Sequence, residues 1–301
     1  LFIFPFFLYK EKIDLVIFQN YIPFWKCNRI TYVNYVHDFL FLDYPNFFSK
    51  PQRLLFRLIV NSVKRADHVI TISESERNRV LRHSSISNFK IDFVHHGISE
   101  SFREYDADIQ KNVLDKYGLP NKYLLYVGRL NRRKNIKVLL HAYSILNTEL
   151  SLVVIGKKEV QEFEFEEEVV NLNIQNKVFR LDFVPVEDLQ TIISAAKLFV
   201  FPSFAEGFGL PPLEAMRSGV PAIVSRGMAM PEVCKGGAVY FDPENVSELA
   251  KKIDWLINNQ DEYNYYKREG KRVAESYTWD KSSLEVLGVV KKLIKNKITT
   301  V

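Results

Sequence analysis

The chain has 301 residues, 47% of them hydrophobic and 26% charged, with a net charge of +5. This composition supports one large or two medium folded domains and excludes a disordered chain. The basic excess is too small to indicate nucleic acid and suits anionic ligands or an anionic membrane surface; the two cysteines, Cys27 and Cys234, lack metal-site or redox spacing and fit a reducing cytoplasm.

The first ten residues, "LFIFPFFLYK", are apolar. They make about half the length of a bilayer-spanning helix, Pro5 interrupts them, and no basic flank or cleavage site marks a signal peptide. The expectation is a chain that starts inside a domain, with something upstream absent. Beyond them, short apolar runs alternate with amphipathic ones. Residues 13–19, 30–38, 68–73 and 91–97 read as strands, with helices over "PQRLLFRLIVNSVKRA" and "SESERNRVLRHS". The rhythm restarts with strands over 123–130, 150–156, 177–184, 198–203, 221–225 and 237–242, separated by helical patterns such as "VEDLQTIISAA" and "ENVSELAKKIDWLINN". Near-continuous β-branched runs, each followed by a helix, predict parallel sheets covered on both faces. The polar stretch 99–112 is the candidate linker between two α/β domains, the first incomplete at its start. Ligands of open parallel sheets bind beyond the carboxyl ends of the strands, so substrate is expected in the cleft between the domains.

Two post-strand segments carry chemistry. In "YVGRLNRRKNI", residues 126–136, Gly128 ends a strand, and Arg129, Arg132, Arg133 and Lys134 crowd the loop that opens the next helix. Such cations repel one another unless an anion sits among them, and a nearby helix N-terminus favours the same anion. A solvated basic turn explains them equally well when they are taken alone. In "FAEGFGLPPLEAMRSGVPAIVS", residues 204–225, Gly207 and Gly209 let the backbone approach a ligand, Pro211 suits a first helical turn, and Glu214 is placed in that turn. Glu206 lies on the loop before it. The amides of Gly209 and Leu210 would hold an anion, and the two glutamates would hold hydroxyls by charge-assisted hydrogen bonds. An anion flanked by two polyols describes a nucleotide sugar. The plainer readings are helix-dipole complementarity for Glu214 and an exposed loop acid for Glu206.

The E-x7-E spacing after a strand ending in "PS", with an internal "GFGLP", resembles the retaining family-4 glycosyltransferases of the GT-B fold, in which two Rossmann-like domains face each other across a cleft. "YVGRLNRRKNI" is similar to that family's phosphate loop, and "ADHVITISESERNRV", "SGVPAIVSRGMAMPEV" and "VHDFLFLDYP" are similar to further segments of it. The resemblance implies an acceptor-side domain over 1–104, with a C-terminal helix over 278–301 packing back on it, and a nucleotide-sugar-binding domain over 105–277. It implies that Arg129 and Lys134, beside Gly128, neutralise the diphosphate. Glu206 would hold sugar hydroxyls next to Gly207 and the amides of Phe208, Gly209 and Leu210. Glu214 would hold the ribose, and His37, just after a strand, would face the donor sugar. No metal or other cofactor is implied. "HDFLFLDYP" leans to the mannosyltransferase-like branch and to GDP-mannose.

Two features depart from the family pattern. His96 stands where the family usually has Asn before a glycine, and nothing in residues 1–30 matches the family's glycine-rich loop. "DAD" at 106–108 is read as a helix start rather than a divalent-metal site. The basic segments 50–65 and 287–298 suit an anionic bilayer, although a helix packed on its sheet with a basic outer face is the plainer reading. The expected function is transfer of a hexose from a nucleotide-diphosphate sugar to a glycan or lipid-linked acceptor in lipopolysaccharide or capsule assembly, in the cytoplasm or at the membrane's inner face. The alternatives are a sugar-nucleotide epimerase, a glycogen-type synthase or a nucleotide-sugar-binding protein without activity. A dinucleotide dehydrogenase is disfavoured because no G-x-G-x-x-G follows a strand.

Overall fold

The computed structural model describes residues 4–158 and 164–298. The chain forms two compact units, one comprising residues up to Gly97 together with those from Thr278 onward, the other Ile98–Tyr277.

In the first unit, β1 (Leu15–Gln19), β2 (Thr31–Val36), β3 (His68–Thr71) and β4 (Ile91–Phe93) pair in sequence order, all parallel. The β2 and β3 side chains are buried along nearly their whole length, as expected of a strand covered on both faces. On one face Ile59 and Val63 of helix Lys50–Arg65 join Val36, Val69 and Val80. On another, Val286, Val289 and Leu293 of helix Trp279–Ile298 pack against Val33, Ile70 and Val94. That last helix starts so close to Gly97 that a Cβ there would lie 2.2 Å from the Trp279 amide nitrogen.

The second unit has six parallel strands: β5 (Tyr123–Val127), β6 (Ser151–Ile155), β7 (Val178–Leu181), β8 (Leu198–Phe201), β9 (Ala222–Ser225) and β10 (Ala238–Phe241). Their spatial order is β10-β9-β8-β5-β6-β7, the doubly wound arrangement in which strand order reverses beside the first strand of the domain. The reversal falls between β5 and β8, where Leu125 is paired with Phe199. Both segments singled out in the sequence leave the sheet at this point.

Residues 98–104, expected in the first unit, belong to the second. The Ile98 amide donates to the Tyr277 carbonyl, Phe102 is buried, and Glu104 pairs with Lys267 and Lys271 at 2.8 and 3.0 Å. The linker expected over 99–112 is also shorter, because helix Ala107–Tyr117 begins inside it. Asp106 is at the N-cap and Asp108 in the first turn, a helix start as read from the sequence. Among the described residues, no helix is long and apolar enough to cross a membrane.

Candidate active site

The turn after β5 is built by its own side chains. The Tyr126 hydroxyl, rooted in the core, donates to the Arg129 carbonyl at 3.0 Å. Asn131 caps the short 3-10 helix Arg132–Lys134 by accepting from the Lys134 amide at 3.0 Å. Asn135 takes a left-handed conformation, φ 53°, which Asn tolerates better than most residues, and its amide donates to the carbonyls of Pro202 and Pro243. The Phe204 amide donates to the Arg133 carbonyl at 2.9 Å. The cationic turn and the loop after β8 are thereby joined backbone to backbone.

Three side chains converge on Oε1 of Glu206: Lys134 Nζ at 2.7 Å, Arg133 Nη1 at 2.9 Å and Ser203 Oγ at 2.5 Å. Arg133 Nη1 also donates to the Ala205 carbonyl at 2.6 Å, and the Lys134 ammonium lies 4.8 Å from the Phe201 ring centroid. Glu206 is only 9% exposed, so it is not the exposed loop acid of the plainer reading. Burial alone pushes its carboxyl up, but the Lys134 and Arg133 charges and the hydrogen bonds from Lys134 and Ser203 outweigh this and hold it below the ordinary range. Burial lowers the Lys134 ammonium, against the pull of Glu206.

The loop then turns sharply. Gly209 has φ 107°, and a Cβ there would lie 2.2 Å from the Met230 methyl, so only glycine fits. Phe208 is buried with its ring edge-on to Tyr277. Helix Leu210–Arg217 follows, with no side-chain cap at Gly209. The amides of Gly209 and Leu210 have no partner among the described residues, which leaves a helix start open to an anion. Glu214 is not in this helix's first turn, contrary to expectation: the two prolines and Leu213 fill that turn, and Glu214 falls one residue beyond it. Dipole complementarity, confined to the first turn, does not account for this acid. Its carboxyl has no hydrogen-bond partner among the described residues, and burial pushes it up to about 7.

The structure thus brings Lys134, Glu206, Gly207, Phe208, Gly209 and Leu210 together around one strand switch. Gly128 and the exposed Arg129 are at the start of the same turn and Glu214 on the helix that closes it. His37 belongs to the other unit, one residue past β2. There the Asn20 side chain accepts from the His37 amide at 3.2 Å, and the buried Glu76 accepts from the Phe39 amide at 2.9 Å. Arg79 joins Glu76 to Asp43, so both ends of segment 37–43 are held. The His37 and His96 rings are stacked 5.9 Å apart. Burial, partly countered by Asp38, lowers His37, and His96 is pushed down to about 4 by burial, with His37 and His95 adding to it.

Sequence reasoning did not single out Arg133, Ser203, Asn20 or Glu76. Arg133 was one of four clustered cations, and no periodicity says which of them turns inward. Ser203 read only as a strand end.

A doubly wound unit whose strand switch joins a cationic turn to an open-amide helix start, alongside a second parallel α/β unit, places the chain in the GT-B class. The sequence profile described as Glycosyl transferases group 1 matches residues 109–273, and that described as Glycosyltransferase Family 4 matches residues 2–102. With more than half its length inside the first profile, the chain belongs to the glycosyl transferases group 1 family. It is similar to the serotype-specific mannosyltransferase WbdA of Escherichia coli, 30% identical over 248 residues, which cover 79% of this chain and 30% of WbdA. The chain thus spans about a third of that relative. It is 28% identical to the O-antigen chain mannosyltransferase B of the same organism, over 85% of this chain and 69% of that one. Among solved structures, Anabaena HepE in complex with UDP and glucose superposes with a TM-score of 0.78 at 20% identity, over 88% of this chain and 72% of that one. That likeness is one of fold.

Proposed function

We propose that this chain is a retaining hexosyltransferase that takes its sugar from a nucleotide-diphosphate donor. The observation that carries the reading is the Lys134–Glu206 pair at the β5–β8 switch, beside the open Gly209 and Leu210 amides. Breaking the bond between the sugar C1 and the phosphate oxygen develops negative charge on the diphosphate. Arg129 and Lys134 stabilise that charge, with the two amides facing it, and the reading needs no metal. Oε1 of Glu206 is taken by its three partners, and Oε2 is left for a donor-sugar hydroxyl. The unpartnered Glu214 carboxyl suits the ribose hydroxyls. His37, in the other unit, is assigned to the donor sugar by the family resemblance alone. The acceptor oxygen bonds C1 on the face the diphosphate leaves, and its proton passes to the departing phosphate oxygen. Glu206 and Glu214 hold different parts of the ligand, so hydrolysis by a carboxylate pair across one bond is disfavoured.

The names of the mannosyltransferase relatives favour mannose as the sugar and an O-antigen-type glycan as acceptor; GDP-mannose as the donor and a lipid-linked form of the acceptor are the finer part of this proposal. A site at the inner face of the membrane fits a lipid-linked acceptor. Helix Lys50–Arg65 suits that surface: it has five cations and no acid, and Leu54, Leu55 and Leu58 are 71%, 53% and 39% exposed. Incubating the chain with GDP-mannose and an O-antigen-type glycan tests the function. The reading expects a mannosylated product with the donor's α configuration at C1; an inverted product, or none with GDP- or UDP-hexoses, counts against it.

A further inference from the structure

Glu206 has two cationic partners on one oxygen, and they differ in how they are anchored. Lys134 reaches it through a single ammonium. Arg133 reaches it through a nitrogen that also donates to the Ala205 carbonyl, inside the same loop, and its own carbonyl accepts from the Phe204 amide. A buried carboxylate stripped of its partner is strongly disfavoured. Lys134 cannot turn toward an incoming diphosphate unless something else keeps Glu206 compensated. One cation on Glu206 would make a closed, neutral pair. Two cations leave one positive charge over.

We propose that Arg133 is a positioning residue that retains Glu206, so that Lys134 is released to the diphosphate of a nucleotide ligand. The inference rests on the nucleotide-sugar reading above and extends it to a residue outside the expected set. Arg133 does not touch the ligand. It holds the acid-bearing loop in place and makes the lysine's charge available. Its loss therefore weakens recognition of the phosphates and not of the nucleoside.

The test is calorimetric titration of the chain with GDP and UDP, and with guanosine and uridine as phosphate-free controls. In the folded Arg133→Met variant, affinity for the better diphosphate falls tenfold or more while the matching nucleoside binds as before. Arg133→Lys, which keeps the charge, recovers most of that loss. Should Arg133→Met not fold, Arg133→Gln, which keeps a donor for the Ala205 carbonyl without the charge, shows the same selective loss. A folded neutral variant that binds the diphosphate as tightly as the unaltered chain overturns the inference alone. So does one that loses nucleoside and diphosphate in equal proportion. Failure of the unaltered chain to bind either diphosphate removes the nucleotide-sugar reading as well.

Discussion

Lys134 and Glu206 are 72 residues apart in sequence and 2.7 Å apart in space. The contact exists because β5 and β8 are neighbours in the sheet and each delivers its following turn to the same end. A parallel doubly wound sheet converts distant sequence into adjacent chemistry at this one place. The consequences divide into those for stability and those for binding.

The Glu206 carboxyl has a folded-state pKa below its unfolded value of about 4.3. Its pairing therefore stabilises the fold fully above that pH and is lost as pH falls through the lower, folded value. Thermal unfolding between pH 6 and 3 should show a steeper fall for the unaltered chain than for Glu206→Gln. Parallel curves would contradict the pairing. At neutral pH, Glu206→Ala should cost about 3–5 kcal/mol, the usual penalty for breaking a buried pair.

Glu214 has the opposite sign. Its folded carboxyl keeps a proton up to about 7, whereas the unfolded chain releases it near 4.3. Stability from this group is full below about 4.3 and is lost as pH rises through 7. Relative to the unaltered chain, Glu214→Gln should gain about 3–4 kcal/mol between pH 4 and 8. A constant difference across that range would show that the carboxyl is not desolvated.

Gly209→Ala tests the loop geometry. The substitution meets both the left-handed φ and the Met230 methyl, so a cost of about 1–3 kcal/mol is expected from the backbone alone. Adding Met230→Ala relieves the collision but not the dihedral. Chemical denaturation of the single and double variants should show partial recovery; complete recovery would mean that the backbone is unstrained.

Helix Lys50–Arg65 predicts binding to vesicles containing anionic phosphatidylglycerol and none to neutral phosphatidylcholine. Leu54→Glu with Leu55→Glu should abolish co-sedimentation without lowering the melting temperature, because both side chains are exposed. Undiminished binding by that double variant would remove this helix from the membrane account.

Strand positions were legible because parallel strands buried on both faces leave continuous apolar runs, as in "LSLVVIG" and "LFVFPS". The meeting of the two turns was legible only as a resemblance, since spacing alone does not say that β5 neighbours β8. Helix phase was harder to read. Glu214 was placed in the first turn, one residue short of its true position, because the helix start depends on the Gly209 dihedral, which no pattern of residue types fixes. The inward role of Arg133 was not legible for a related reason: four clustered cations have one compositional signature, and only the 3-10 turn capped by Asn131 separates the inward ones from the rest.

The most direct measurement is the affinity of the chain for GDP and UDP at low and high salt, with and without Lys134→Met. The account predicts micromolar binding of at least one of the two, weakened by salt and at least tenfold weaker in the variant. Binding of neither, or binding indifferent to Lys134, would contradict it.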